Sequence, residues 1–407
     1  MVIDCKVIVN PLPADSPAAS IAFHRRAIRK ALARWYSHNG RILPWRISPT
    51  AYRVFVSEAM LQQTQVERVK DFFNRFIKQF PNVESLAAAN EQQVLKFWEG
   101  LGYYRRARNL LAAAQIVINT YGGHFPESVR ELRSLPGIGR YSAGAIASIA
   151  FDLPEPIVEA NTRRVLARLS AHRGPLHPPA AEEAMWTVAA SLVPHKGAGH
   201  FNSALMDLGA IICTPTQPRC QACPLSTWCC AFKANLVHQI PAKKLERTKI
   251  LIHEAAIVVE RRGRYLVHKR EDGQWWAGLW DFPRVCLRTS SETILGGKSG
   301  VKNRHIRTQT KPGKPVASTR KAIERCLSLK SLRLSPLSQL DRLRYTVTHH
   351  TVSVDVVRCA CGKRTRAPSE GVWQWVTLKK FEALATSSSG RRIAAVMSKQ
   401  IASSSVR

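Results

Sequence analysis

The sequence predicts a two-domain protein, in which an all-helical domain precedes a mixed α/β domain. Between Ile21 and Ala231, apolar residues recur at three- and four-residue intervals, as in AYRVFVSEAMLQQTQVERVKDFFNRFIKQF, which is typical of amphipathic helices. Near Ile250 the pattern changes: HEAAIVVERRGRYLVHKR predicts two strands joined by an Arg-Gly turn, and RYTVTHHTVSVDVVRC predicts a further strand pair. A chain of 407 residues is long enough for two such cores.

Composition places the boundaries of the expected segments. The N-terminus is rich in Pro, Ala and Ser, and a long polar, basic stretch within the second domain has too few apolar residues to pack. The expected segments are a loose arm at 1–20, the helical domain at 21–236, a linker at 237–249, the α/β domain at 250–384 with a basic insertion around 288–320, and a frayed basic tail at 385–407.

The chain is strongly basic, with 61 Lys and Arg against 28 Asp and Glu and a formal charge of +33. This excess favours a polyanionic partner, nucleic acid ahead of a membrane surface. No apolar run approaches the roughly 20 residues that span a bilayer. The start, MVIDCKVIVNPLPADSP, lacks the basic and apolar regions of a secretory signal. We therefore expect a cytoplasmic, nucleoid-associated monomer that binds DNA and no membrane.

Four cysteines in CTPTQPRCQACPLSTWC form the most specific motif of the chain. Their spacing is C-x6-C-x2-C-x5-C, and they are Cys213, Cys220, Cys223 and Cys229. Four thiolates in one short loop can ligate the irons of a cubane iron–sulfur cluster. They also satisfy a tetrahedral zinc ion, but the long first gap is unusual for zinc and favours the cluster.

A second motif, LPGIGRYSAGAIAS at 135–148, places two glycines around an apolar residue and ahead of a small-residue helix. Gly137 and Gly139 predict a tight hairpin, and the free N–H groups at the following helix start bind phosphate without reading sequence. An ordinary inter-helix turn explains Gly-x-Gly alone. The basic, helical surroundings favour a contact with the DNA backbone.

These motifs together resemble the helix-hairpin-helix superfamily of iron–sulfur DNA glycosylases, and within it the adenine DNA glycosylase (MutY) family. The resemblance covers most of Ile21–Ala231, through LPWR, SEAMLQQTQV, WEGLGYYRRARNL, EANTRRVLAR and FNSALMDLGAIIC, and GQWWAGLWDFP resembles the family's Nudix-like domain more weakly. It implies a base-excision repair hydrolase that removes adenine opposite 8-oxoguanine or guanine in double-stranded DNA. It also implies a [4Fe-4S] cluster on the four cysteines.

The resemblance assigns roles to two carboxylates. Glu58 occupies the position of the acid that protonates adenine, a role that requires the raised pKa of a carboxyl in an apolar pocket. Glu159 stands where the family has an aspartate that stabilises the developing positive charge on the sugar. The extra methylene moves the charge by up to about 1.5 Å, which can lower a rate on the order of a hundredfold. The plainer role for Glu159 is an anion near a helix N-terminus.

Two further residues of the expected active site follow from the same resemblance. Tyr141 stands where endonuclease III has a lysine that forms a Schiff base with the sugar. We therefore expect water to be the acceptor and strand cleavage to be weak or absent. Asn161 is expected to cap its helix and to support the catalytic carboxylate.

The expected DNA contacts of the helical domain are wedges and phosphate ligands. Gln63 and Tyr103 are candidates for filling the gap that a flipped base leaves, although routine helix packing also explains them. Arg105, together with Arg106 and Arg108, is expected to contact phosphates, and a solvated helix face is the alternative.

The second domain is expected to read the lesion. The family's recognition loop, Phe-Ser-His, corresponds here to Val347, Thr348 and His349, of which the last two can hydrogen-bond 8-oxoguanine. Val347 lacks the aromatic wedge, and a role in a strand pair explains it equally well. The glutamate-rich box of Nudix hydrolases is missing, so pyrophosphate hydrolysis is not expected.

Two alternative functions remain open from the sequence. One is a glycosylase for another mispaired base, such as thymine opposite guanine. The other is a lesion-binding protein that lost catalysis when Glu159 replaced aspartate.

Overall fold

The computed structural model describes residues 21–176, 178–242, 249–292, 321, 334–361 and 372–404. Contacts divide the chain into two compact units, one of Met1–Ala89 with Arg106–Lys244 and one of Asn90–Arg105 with Leu245–Arg407. The expected arm and most of the expected insertion lie outside the described residues.

The first unit is helical, which confirms the class that the sequence predicts. Short 3-10 turns lie at Pro44–Arg46, Cys220–Ala222 and Ser226–Trp228. The helices of the first unit are α1 (Arg25–Asn39), α2 (Ala51–Leu61), α3 (Val66–Gln79), α4 (Val83–Ala87), α6 (Arg105–Tyr121), α7 (Val129–Leu132), α8 (Arg140–Phe151), α9 (Ala160–Leu169), α10 (Pro179–Leu192), α11 (Ala198–Ile211) and α12 (Cys230–Lys233). One helix that lies between α4 and α6 in the chain, α5 (Glu91–Trp98), belongs to the second unit.

Helices α2, α8 and α11 form the part of the first unit that carries the site. Thr50 caps α2 by accepting a hydrogen bond from the Arg53 backbone N–H. Most residues of α2 are buried, and apart from Ser57 and Glu58 the buried ones are apolar. Helix α8 packs between α2 and α11. Its alanines Ala143, Ala145 and Ala147 are fully buried, so small side chains let the neighbouring helices approach closely.

The second unit contains a mixed sheet of seven strands. The strand order is β3-β2-β1-β6-β5, with β4 paired to β1 and β7 paired to β2. The β1–β6 pair is parallel and the other pairs are antiparallel. The strands are β1 (Lys249–Arg261), β2 (Arg264–Lys269), β3 (Trp280–Asp281), β4 (Arg284–Glu292), β5 (Leu334–Val347), β6 (His350–Cys361) and β7 (Trp373–Val376). Both predicted strand pairs are confirmed, including the turn at Arg262 and Gly263.

The C-terminal end differs from the sequence prediction. After α13 (Leu378–Ala383), the chain forms α14 (Ser388–Ser404), so the expected frayed tail is wrong for these residues. Ile393, Ala394 and Met397 are buried in the core of the second unit, where burial of this apolar face stabilises the helix. The apolar face was not evident from the sequence, because basic and serine residues dominate the composition of this segment. Across the described part of the chain, no helix is both long and apolar enough to cross a membrane.

Candidate active site

A cavity of about 510 Å³ opens in the first unit between the end of α2, α8 and the start of α9. It brings together the four residues that the sequence predicts as catalytic, which are Glu58, Tyr141, Glu159 and Asn161. The predicted wedge Gln63 also lines it, in a left-handed backbone conformation with φ of 59°. Such a conformation is uncommon for a side chain of this kind and is often found at functional sites.

Glu58 lies in the last turn of α2 and is only 4% exposed. Burial raises the pKa of Glu58 to about 7, a hydrogen bond with Tyr141 lowers it, and the charge of Glu159 raises it. Within the described residues, the buried Oε2 atom of Glu58 has no hydrogen-bond partner. A carboxyl with this pKa is partly protonated near neutral pH, so it can donate a proton to a bound base.

Tyr141, in the first turn of α8, lies beside Glu58. Its hydroxyl donates to Sδ of Met206 at 3.6 Å, and Tyr141 lines the same cavity as Glu58. Burial, followed by the charges of Glu58 and Glu159, raises the pKa of Tyr141 well above its usual value. The phenol is therefore neutral at physiological pH and can act only as a hydrogen-bonding group.

Glu159 is the N-cap residue of α9. Its Oε2 accepts from the Asn161 backbone N–H at 2.7 Å and its Oε1 from the Thr162 N–H at 2.8 Å. The Glu159 N–H donates to Oγ1 of Thr162, which completes a capping box. Burial raises the pKa of Glu159 above its usual value, although the two backbone N–H groups and the nearby arginines oppose that shift. The prediction that Asn161 caps this helix is wrong, because Glu159 fills that role.

Asn161 instead faces α11. Its Oδ1 accepts from Nη2 of Arg164 at 2.9 Å, and Arg164 also donates to the carbonyls of Gly209 and Cys213. A Cβ added at Gly209 would lie 2.8 Å from Cβ of Asn161. Glycine therefore permits the close approach that fixes the start of α9.

A group of charged side chains that the sequence did not indicate lies beside the cavity. Asp207 on α11 is fully buried and accepts five hydrogen bonds of 2.6–3.0 Å from Arg41 and Arg46. Burial alone would raise the pKa of Asp207, but the hydrogen bonds and charges of the two arginines lower it overall. Both arginines line the cavity. Arg46 lies in the motif LPWR and Asp207 in FNSALMDLGAIIC, but nothing in either motif indicates that the two side chains form an ion pair.

Arg106 does not have the predicted role of a phosphate ligand. Its side chain is buried, and its guanidinium donates to three backbone carbonyls at the end of α2 at 2.6–2.9 Å, those of Ala59, Met60 and Gln62. These are carbonyls that a helix C-terminus leaves without partners. Arg106 therefore stabilises the end of the helix that carries Glu58. Arg105, by contrast, is exposed at the start of α6.

The remaining predicted DNA contacts lie on exposed turns. Gly137, with φ of 81°, and Gly139, the N-cap of α8, are exposed at the hairpin. Tyr103 has φ of 50° and is 44% exposed. Thr348 and His349 form the turn between β5 and β6, and Thr348 has φ of 54°. A ligand can therefore reach each of these turns from the solvent.

The four predicted cysteine ligands line one small cavity, together with Arg168, Ser226 and apolar side chains. Burial, followed by mutual repulsion among the thiolates, raises the pKa of Cys223 to about 12 and that of Cys229 to about 11, with backbone hydrogen bonds opposing the shift. The buried Arg168 donates to Sγ of Cys213 at 3.3 Å. Sulfurs that repel one another as thiolates fit a cationic iron centre among them. In the described ranges, no three His, Cys, Asp or Glu side chains converge on a position for one metal ion.

Comparison with known proteins defines the class. Residues 56–190 match the HhH-GPD superfamily of base excision DNA repair proteins, and residues 254–395 match the NUDIX domain. The chain is therefore a helix-hairpin-helix glycosylase domain followed by a Nudix-like domain, as the sequence predicts.

The proteins that are similar to this chain include two adenine DNA glycosylases and one glycosylase of known structure. The adenine DNA glycosylase of Buchnera aphidicola subsp. Schizaphis graminum is 35% identical over 69% of this chain and 81% of that protein. The adenine DNA glycosylase of Homo sapiens is 41% identical over 65% of this chain and 59% of that protein. A thermostable thymine-DNA glycosylase structure is 28% identical, with a TM-score of 0.47 over 52% of this chain and 98% of its own. The chain belongs to the adenine DNA glycosylase family.

Proposed function

We propose that this enzyme hydrolyses the N-glycosidic bond of adenine mispaired with 8-oxoguanine or guanine in double-stranded DNA. One observation carries the proposal: the buried carboxyl of Glu58, with a pKa of about 7 and an unpartnered Oε2 among the described residues, lines a cavity with a second carboxylate. An acid and an anion on one cavity are what cleavage of a glycosidic bond requires.

Glu58 is the proton donor in the proposed reaction. It donates its proton to a ring nitrogen of the flipped adenine, and the electron pair of the carbon–nitrogen bond leaves with the neutral base. Tyr141 lies beside Glu58 on the same cavity, and its hydroxyl favours the charged form of that carboxyl. Because Tyr141 is a phenol and no amine, it forms no Schiff base with the sugar. Water therefore completes the reaction, and the enzyme is monofunctional.

Glu159 stabilises the positive charge that develops on the sugar as the base leaves. Its two oxygens each accept a backbone N–H, at 2.7 and 2.8 Å. Those hydrogen bonds orient the carboxylate and favour its charged form, but they also neutralise part of that charge. We therefore expect Glu159 to support excision more weakly than a carboxylate with an oxygen left free.

The four cysteines are proposed to hold a [4Fe-4S] cluster, because all four line one cavity and their thiolates repel one another. The cluster would order the loop that follows α11. Its removal should leave iron-free protein that melts at a lower temperature, and Cys223→Ser should lose iron, whereas Cys230→Ser outside that cavity should retain it.

The DNA contacts are proposed from exposure and charge. Gln63 and Tyr103 are the candidate wedges. The hairpin of Gly137 and Gly139 binds a phosphate, and Arg105 separately binds another. Thr348 and His349 read the lesion. A net charge of +33 supports a DNA-bound monomer, and hence a location with the cytoplasmic nucleoid.

The decisive experiment incubates the iron-loaded protein with a duplex that carries one 8-oxoguanine:adenine pair, and then looks for alkali-dependent breaks at the adenine. Breaks should appear after alkali and be absent without it. Glu58→Gln should lower the single-turnover rate by about a thousandfold or more. Glu155→Gln is the matched control, because Glu155 is a half-buried carboxyl with a raised pKa outside the cavity.

Other outcomes would support the alternatives. Tight lesion binding without any breaks would make the protein a lesion binder. Faster excision of thymine opposite guanine would make it a glycosylase for a different mispair. Breaks that persist in Glu58→Gln would show that Glu58 is not the acid.

A further inference from the structure

The segment Asn90–Arg105 lies in the chain between α4 and α6 of the helical unit, yet it packs as part of the second unit. Polar side chains of α5 contribute to this packing. Gln92 donates to the carbonyl of Gly278 at 2.9 Å, Lys96 donates to that of Leu384 at 3.1 Å, and Glu91 pairs with Lys269 at 3.7 Å.

The strongest contact lies at the C-terminal end of α5. Glu99 is paired with Arg391 of α14 through both of its carboxylate oxygens, and the Nη2–Oε2 distance is 2.7 Å. The buried Thr386 also donates to Glu99 at 3.2 Å. The Glu99 side chain is only 10% exposed. A two-pronged arginine–carboxylate pair of this kind fixes geometry as well as attraction.

The loop that follows Glu99 is short and internally bonded. Trp98 Nε1 donates to the carbonyl of Gly102 at 3.1 Å, and the Tyr104 hydroxyl accepts from the Gly100 N–H at 3.3 Å. Gly100 and Gly102 have φ of 100° and 75°. The loop therefore keeps its shape relative to the end of α5, and the position of Glu99 determines where Tyr103 is presented.

We propose that Glu99 and Arg391 are positioning residues through which α14 sets the position of the Tyr103 loop for insertion into damaged DNA. The inference rests on the proposed wedge role of Tyr103. It makes the C-terminal helix, far along the chain from the cavity residues, part of base flipping.

The test introduces Arg391→Met into the otherwise unchanged protein and into a Tyr103→Ala protein, and compares its effect in the two. The readout is the fluorescence of 2-aminopurine placed beside the 8-oxoguanine:adenine pair, which rises when neighbouring bases unstack, together with the DNA dissociation constant. Arg391→Met should weaken binding by about fivefold and reduce the fluorescence rise. In a Tyr103→Ala protein, the same change should have no further effect, because the loop has lost the group that it positions.

Two matched variants separate positioning from general packing. Glu99→Gln should reproduce Arg391→Met, including its absence of effect in Tyr103→Ala. Lys269→Met, which removes the Glu91 pair on the same helix, should leave unstacking unchanged. The melting temperature of every variant shows whether it is folded, and Glu99→Gln retains the test if Arg391→Met does not fold.

Specific results would overturn the inference. Equal losses from Arg391→Met in both backgrounds would show a packing role that is independent of Tyr103. A normal fluorescence rise in Arg391→Met would show that the pair positions nothing. If Tyr103→Ala itself unstacks DNA normally, the wedge assignment fails as well. Both readouts need no base excision, so they are separate from a failure of the proposed reaction.

Discussion

Two regions of one cavity hold their carboxylates in opposite electrostatic settings. Glu58 lies in the last turn of α2, whereas Glu159 precedes the first turn of α9. A helix C-terminus carries partial negative charge and a helix N-terminus partial positive charge. The second setting therefore favours a carboxylate more than the first does, although burial, which raises the pKa of both groups, is the larger effect.

The hydrogen bonds of the two groups differ in the same sense. Glu159 uses both oxygens to bind backbone N–H groups, at 2.7 and 2.8 Å. Glu58 keeps one buried oxygen that no described residue binds. The acid is thus available to a substrate, while the anion is partly occupied by its own helix. A glutamate at position 159 therefore keeps the negative charge, but its longer side chain places both oxygens on backbone N–H groups of the helix.

Of the changes that test this contrast between Glu58 and Glu159, Glu159→Asp should produce the largest change in the rate of adenine excision. Aspartate is a favourable N-cap that reaches one backbone N–H, and its shorter side chain leaves the second oxygen free to face the sugar. The single-turnover rate of adenine excision should rise by up to about a hundredfold. Glu155→Asp makes the same deletion outside the cavity and should change nothing. An unchanged or lower rate in Glu159→Asp would mean that capping does not divert the charge.

The pH dependence of adenine excision should show whether Glu58 acts in its protonated form. Glu58 must carry a proton to act, and its pKa is raised to about 7, so the acid form is present below that pH and is lost above it. When chemistry limits the rate, single-turnover excision should fall about tenfold per pH unit above pH 7. It should also fall at acid pH, where Glu159, whose pKa burial raises, loses its charge. The DNA dissociation constant, measured in parallel, should not follow this curve. A rate that rises through pH 7 would assign Glu58 as a base.

Much of this site follows from local sequence, because motifs place residues on elements. SEAMLQQT places Glu58 on a mostly apolar helix, and EANTRRVLAR places Glu159 beside a helix start. The cap itself was not predictable, since glutamate is not among the preferred N-cap residues and asparagine is. Asn161 was therefore the better candidate from sequence, and only the backbone geometry shows that Glu159 takes its place.

Long-range contacts account for the other differences. Arg106 belongs to a run of arginines that is expected from the sequence to contact phosphates, but the direction of its side chain takes it to the carbonyls that end α2. The membership of Asn90–Arg105 in the second unit depends on partners such as Arg391, which no local pattern indicates. The fold class follows from periodicity, whereas these pairings require the assembled chain.

Gly209→Ala should give the smallest effect, and it tests whether α11 holds the Glu159 region in place. In an ordinary helix this change stabilises the protein by up to about 1 kcal/mol. Here the added Cβ would lie 2.8 Å from Cβ of Asn161 and 3.0 Å from its carbonyl oxygen, so one of the two helices must move. We expect a lower melting temperature and an excision rate reduced by about tenfold, with unchanged DNA affinity. A higher melting temperature at an unchanged rate would show that α11 yields without disturbing Glu159. In that case the capping box alone would fix the carboxylate.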